Sequence, residues 1–291
     1  MPNQPRLVVT GANGQLGQLV VAALARRTDP ASIVAAVRDP ARAATLLPAG
    51  VVIREADYDR PETLDAAFAG TDQVLLISSN AVGARLPQHR NAIEAAQRAG
   101  VGRLLYTSVL HADRSKLGLA DEHRQTEALI ADSGLAHTLL RNGWYTENYA
   151  ASIPGALQHG AFIGAAREGK ISGAARADYA EAAAVALLAQ TGATRVIHEL
   201  AGDAAFTLAD FAAELSRQAG RQIPYADLTP ADFEAALLQA GLPAPFAALL
   251  ADSDAAAADG ALHDDGGELS RLIGRPTTPF ATTIAAALAA R

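Results

Sequence analysis

The apolar run Leu7-Val8-Val9-Thr10 is followed at once by Gly11, Gly14 and Gly17, a Gly-x-x-Gly-x-x-Gly pattern that passes into Gln15 to Arg27, a segment of helical period. This feature excludes most folds. A strand that turns on three such glycines into a helix is the opening of a dinucleotide-binding βαβ unit. The first glycine permits the tight turn, the second lets the backbone approach a pyrophosphate, and the third lets helix and strand pack closely. The N–H groups at the start of the helix then face the phosphates. The alternative is a tight turn that holds no ligand.

The first half of the chain repeats the same alternation. Strands are expected at Arg6 to Thr10, Ser32 to Val37, Val51 to Arg54, Gln73 to Ser78, Arg103 to Ser108 and His137 to Leu140. Helices are expected at Gln15 to Arg27, Ala41 to Leu47, Pro61 to Ala69, Pro87 to Ala99 and Leu119 to Ser133. Apolar strands between amphipathic helices mean a parallel sheet covered on both faces, a doubly wound, Rossmann-type α/β fold. After about residue 150 the pattern changes. Val196 to Leu200 is expected to return to the sheet, while Phe206 to Ala219, Pro230 to Ala240 and Thr282 to Ala290 read as helices. Ala255 to Ala258 reads as helix or mobile loop. The expected organisation is a nucleotide-binding domain over 1–150 and a smaller, mostly helical lobe over 151–291 that covers the crevice beyond the strand ends.

Composition narrows the function. The chain has 291 residues, 50% of them hydrophobic, and no apolar run near the roughly 20 residues that cross a bilayer. The start, MPNQPRLVVT, has no signal-peptide pattern, so a soluble cytoplasmic protein is expected. A net charge of −7 argues against nucleic acid. The absence of cysteine excludes disulfides and thiol nucleophiles and agrees with a reducing compartment.

The later strand ends carry the candidate cofactor contacts. An acidic residue at the end of the second strand suits a ribose 2′-hydroxyl and an arginine suits a 2′-phosphate. Arg38 stands there and favours NADP, while Asp39 is placed either to accept a ribose bond or to pair with Arg42. Asp57 reads as an acceptor for an adenine amino group or as a turn residue. Ser78, Ser79 and Asn80 line a nicotinamide ribose or form a plain strand-to-helix loop. Trp144, the only tryptophan, and Tyr145 follow the sixth strand between Asn142 and Asn148, a setting that suits a planar acceptor or a hydrophobic seam between lobes.

Together TGANGQLG, AAVRDP, LLISS, LLYTSVLHAD, LADEHRQTE and LLRNGWYTENY resemble the NmrA-like branch of the atypical short-chain dehydrogenase/reductases, nearest to its bacterial quinone-reducing members. The resemblance runs from Val8 to the final LIGRPTTPF. It implies a monomeric or homodimeric enzyme that uses NADPH to reduce quinones with neither metal nor flavin. It also implies that Gly11, Ala12, Asn13, Gly14, Gln15 and Leu16, with Gly17 behind them, hold the pyrophosphate and that Arg38 holds the 2′-phosphate. Ser78, Ser79, Asn80, Ala81 and Val82 would pass beside the nicotinamide ribose. Asn142, Gly143, Trp144, Tyr145, Thr146 and Glu147 would border nicotinamide and substrate.

One feature of the wider superfamily is missing. Its Tyr-x-x-x-Lys helix supplies the acid that protonates an alkoxide, and here the matching residues are His123-Arg124-Gln125-Thr126-Glu127. An alkoxide is about as basic as hydroxide, whose conjugate acid, water, has a pKa of about 15.7, so ketone reduction needs a positioned acid. A reduced quinone carries phenolate oxygens, with a pKa of about 10, and needs mainly proximity to the nicotinamide. His123 and Glu127 share a helix face. As a metal site they lack a third ligand; as an acid/base pair they use a histidine of near-neutral pKa; otherwise they form an exposed or supporting pair. His123 and Tyr145 are the candidate catalytic residues. Two functions remain: a quinone reductase, or a non-catalytic NADP(H)-binding redox sensor.

Overall fold

The computed structural model describes residues 6–189 and 191–290. Two compact units are formed. The first takes the described residues of Met1–Ala112, Glu122–Asn142 and Tyr179–His198, and the second those of Asp113–Asp121, Gly143–Asp178 and Glu199–Arg291. The chain therefore passes between units more often than a single boundary near 150 describes.

The first unit holds strands β1 (Leu7–Thr10), β2 (Ile33–Val37), β3 (Val52–Glu55), β4 (Gln73–Leu76), β5 (Arg103–Val109) and β6 (His137–Asn142). Helices α1 (Gln15–Ala25), α2 (Pro40–Ala43), α3 (Pro61–Phe68), α4 (Arg85–Arg98) and α5 (Ala120–Asp132) connect them. Every residue of β1, β2, β5 and β6 is buried, as a sheet covered on both faces requires. The pairs β1·β2, β1·β4, β2·β3, β4·β5 and β5·β6 are all parallel. The sheet order is β3-β2-β1-β4-β5-β6 followed by Arg195–Leu200, so the expected returning strand does join it. Connections run outward on both sides of the β1·β4 boundary, which places the topological switch point, the usual site of a ligand in such sheets, at the carboxyl ends of β1 and β4. Val8, Val34, Leu64, Phe68, Leu76, Ile93, Leu104, Tyr106, Ile130 and Leu139 belong to one continuous core.

In the second unit α6 (Thr146–Ala150), α7 (Ile153–His159) and β7 (Phe162–Gly164) precede α8 (Arg176–Leu188), which continues into the first unit. The strand Arg195–Leu200, here β8, is followed by α9 (Leu208–Ala219), β9 (Tyr225–Asp227), α10 (Pro230–Gln239), α11 (Ala244–Ala258), α12 (Glu268–Ile273) and α13 (Phe280–Ala289). Tyr149, Phe162, Phe206, Phe211 and Phe280 form an aromatic cluster, with ring centroids between 4.6 and 6.1 Å apart.

Several sequence expectations change here. The helix expected at Ala41 to Leu47 is one turn, because Asp39 caps it at Pro40 and the chain then goes over into turns closed by Thr45, Leu46 and Leu47 N–H groups. Ala255 to Ala258 is the end of the helix α11. The small lobe also holds a parallel two-stranded sheet, β7 with β9, that period-2 reading did not find.

Candidate active site

The glycine turn is built by two different constraints. Gly11 has φ +57°, the left-handed region that glycine enters at no steric cost. Gly17 has no room for a side chain: a Cβ there would lie 2.7 Å from Ala12 Cα and closer still to the Gly11 carbonyl oxygen. Gly14 caps α1, and its N–H donates to the Gly11 carbonyl at 2.9 Å. Ala12 is buried, its N–H 3.4 Å from the Ala36 carbonyl, and the Asn13 carbonyl accepts from Gln18 Nε2 at 2.8 Å. Gly14 and Gln15 are exposed and Leu16 is buried. No side chain caps α1 and no acidic residue stands in its first turn, so the positive end of the helix carries no resident anion.

Next to this turn, β1 and β4 are fastened together. Thr10 Oγ1 donates to the Leu75 carbonyl at 3.1 Å and accepts from the Ile77 N–H at 3.0 Å. The Tyr58 hydroxyl stands 2.5 Å from the same oxygen and 2.8 Å from the Ile77 carbonyl, and burial pushes its pKa up.

Arg38 is exposed just past β2. Asp39 Oδ1 accepts the Arg42 backbone N–H at 3.0 Å, so Asp39 acts as the N-cap of α2. Asp57 sits in a turn: Oδ1 accepts the Asp59 N–H at 3.1 Å and Oδ2 is 3.8 Å from Arg60 Nε.

Ser78, Ser79, Asn80, Ala81 and Val82 lie beyond the end of β4, which stops at Leu76. The Ser78 N–H donates to Thr107 Oγ1 at 2.8 Å, and the Ser79 N–H to His89 Nε2 at 2.9 Å. The Ser79 carbonyl accepts from Arg85 Nε at 2.6 Å, and Ser79 Oγ donates to Gln88 Oε1 at 2.5 Å. Asn80 and Val82 are exposed.

His123 and Glu127 face different partners, and neither is a surface residue, which corrects the exposed-pair reading. His123 is 4% exposed. Its Nδ1 is 2.8 Å from the Tyr106 hydroxyl and its Nε2 is 3.4 Å from Arg85 Nη1. A guanidinium can only donate, so Nε2 accepts and the proton sits on Nδ1. Burial, with Arg85 and His89 nearby, holds the imidazole pKa down at about 3. His123 is therefore neutral near pH 7 and aimed inward, toward Tyr106 and Arg85. Glu127 accepts from Arg141 Nε at 3.0 Å and Nη2 at 2.7 Å, and from Ser108 Oγ at 2.6 Å. Glu127 is thus a carboxylate neutralised by an arginine of β6.

In the second unit, Trp144 is buried and its carbonyl accepts the Ala174 N–H at 3.1 Å. Tyr145 is half-buried beneath Arg176, whose Cζ is 4.9 Å from the ring centroid. Both Glu147 oxygens are 3.0 Å from the Arg176 N–H, and Thr146 Oγ1 is 2.8 Å from Thr283 Oγ1. Asn142 and Gly143 are buried. Sequence reading missed Thr10, Tyr58, Arg85, Thr107, Glu122 and Arg141. Each is an ordinary residue in sequence, and its role comes from a partner elsewhere in the chain.

A parallel sheet with a glycine turn at its switch point and an uncapped helix behind it defines a Rossmann-type dinucleotide-binding protein. The NAD(P)H-binding family model matches residues 11–190, and the chain belongs to that family. It is 53% identical over 278 residues to Quinone oxidoreductase 2 of Escherichia coli, covering 96% of this chain and 97% of that protein. A crystal structure of an NADPH-dependent quinone oxidoreductase from Escherichia coli complexed with NADPH superposes with a TM-score of 0.93 at 52% identity, covering 97% of this chain and 99% of that one. Triphenylmethane reductase of Citrobacter sp., complexed with NADP(H), gives 0.91 at 32% identity over 97% of this chain and 99% of that one. Among the described residues no helix is long and apolar enough to cross a membrane.

Proposed function

We propose that this chain is an NADPH-dependent quinone oxidoreductase that transfers a hydride directly to a quinone-type acceptor. The identity shared with the Escherichia coli enzyme over nearly the whole of both chains supports the activity. The observation that carries the choice of acceptor is the Glu127–Arg141 pair with the inward-turned His123, at the positions that the sequence resemblance matches to a proton-donating dyad.

The residues present fit the cofactor. The glycine turn has no room for side chains at Gly17, and the first turn of α1 holds no acidic residue to repel a pyrophosphate. When bound, NADPH supplies the hydride from its nicotinamide. Arg38, with Asp39 engaged as a cap, is the residue we assign to the 2′-phosphate. Ser78 to Val82 are assigned to the nicotinamide ribose and Asp57 to the adenine side. Asn142, the last residue of β6, and Gly143 to Glu147 after it are assigned to nicotinamide and acceptor, with Trp144 and Tyr145 as the aromatic surface. His123 is turned inward and Glu127 is held by Arg141, so neither supplies a proton to an alkoxide, whereas a phenolate of pKa about 10 takes its proton from water. We infer a cytoplasmic protein, monomeric or homodimeric, acting on small molecules.

The test is to mix the pure protein with NADPH or NADH and a small quinone and to follow the loss of reduced-cofactor absorbance. Turnover with NADPH is expected. NADPH binding without turnover on any quinone would leave a redox sensor instead.

A further inference from the structure

The segment from Ser79 to Ala84 is held in two different ways, and the difference points to a latch. Ser79 is tied to the helix that follows it, through Arg85 Nε at 2.6 Å, Gln88 Oε1 at 2.5 Å and His89 Nε2 at 2.9 Å. Those bonds fold the segment back on α4 but do not attach its far end to the rest of the unit. The far end is attached by Glu122 of α5. Its carboxylate accepts the Gly83 N–H on both oxygens at 3.1 Å and the Arg85 N–H at 3.1 Å. Ala84, the N-cap of α4, makes no side-chain cap, and the first turn holds no acidic residue. Glu122 therefore supplies from another helix the acceptor and the negative charge that α4 lacks at its own amino end.

The placement gives this contact a functional meaning. The segment leaves the carboxyl end of β4, which pairs with β1, so it stands next to the glycine turn at the switch point. Asn80, Val82 and Gly83 are exposed, and Gly83 has φ +87°, so the segment has few packing contacts of its own. We propose that Glu122 is a positioning residue for the cofactor: it latches the Ser79–Ala84 segment in the conformation that receives the nicotinamide ribose. Glu122 does not touch the cofactor; it acts through the Gly83 and Arg85 N–H groups. The proposal rests on the assignment of Ser78 to Val82 to the ribose.

Glu122→Ala removes the acceptor from a half-buried helical position that alanine tolerates, and Glu122→Gln keeps one carbonyl oxygen to accept. Two quantities are read: amide exchange over residues 79–85 in the protein without cofactor, and the NADPH dissociation constant from fluorescence titration. For Glu122→Ala, exchange should accelerate at least tenfold, NADPH affinity should fall at least fivefold, and turnover at saturating NADPH should stay within about twofold of wild type. Glu122→Gln should restore most of the affinity. Unchanged exchange in Glu122→Ala would overturn the latch itself. Faster exchange with unchanged NADPH affinity would overturn the proposal by showing that the segment does not receive the cofactor, a failure of the ribose assignment rather than of the latch.

Discussion

Arg141 presents two nitrogens to the two carboxylate oxygens of Glu127, Nε to Oε1 at 3.0 Å and Nη2 to Oε2 at 2.7 Å, with side chains only 6% and 11% exposed. A bidentate pair at this depth is strong as long as both partners are present. Arg141→Met leaves a buried carboxylate without its counter-charge and should cost about 3–5 kcal/mol of stability. Glu127→Gln combined with Arg141→Met keeps an acceptor for Ser108 and removes both charges, so it should cost clearly less than Arg141→Met alone. Urea denaturation of the two variants checks this, and equal losses would refute the pairing.

Gly17→Ala should disturb the glycine turn as a unit, because the added carbon meets backbone rather than a movable side chain. A loss of about 1–3 kcal/mol is expected, as for other overpacked sites. NADPH affinity should fall with it. A variant with wild-type melting temperature and wild-type NADPH affinity would show that the turn relaxes freely.

Arg38→Ala separates the two nicotinamide cofactors. A hydrogen bond to a charged group is worth about 1.5–3 kcal/mol, so NADPH binding should weaken roughly tenfold to a hundredfold. NADH binding should hardly change. Equal weakening of both, measured by titration, would remove the 2′-phosphate assignment.

Acid should destabilise the protein through its buried histidines. His89 and His123 are each depressed by burial from 6.5 to about 3, so between those values the unfolded chain binds protons that the native chain does not. Their contribution is complete above about pH 6.5 and is lost as the pH falls toward about 3. Asp254 works in the opposite sense, because burial raises its carboxyl from 3.8 to about 6 and its contribution declines as the pH rises through that range. Two histidines outweigh one carboxyl, so the denaturation midpoint should drop from pH 7 to pH 5. His123→Asn should flatten that drop. The pH profile of quinone turnover should show no inflection near 6.5 that His123→Asn abolishes.

The sheet was legible because its central strands carry apolar runs, Leu7-Val8-Val9 in β1 and Val74-Leu75-Leu76 in β4, and its glycine turn is local. The place of Arg38, the first residue past β2, was legible for the same reason. The helix α8 was not, since its alanines lie on every side and leave no polar face to set a period. The strands β7 and β9, three residues each, are too short to show alternation. In the site, the hidden residues are those that act across long stretches of chain. Tyr58 reaches Thr10 over 48 positions, and Glu122 reaches Arg85 over 37. Glu127 could be seen in the sequence, but not that Arg141, 14 positions on, would neutralise it.

The outermost strand β3 is only four residues long and half open to solvent. It carries Arg54 and Glu55 side by side, and Arg54 Nη1 is fixed by donating to the Ala67 and Ala69 carbonyls at 2.7 and 3.0 Å. An apolar, flat border would invite a strand from another molecule. This border is short and charged, so it resists edge-to-edge aggregation.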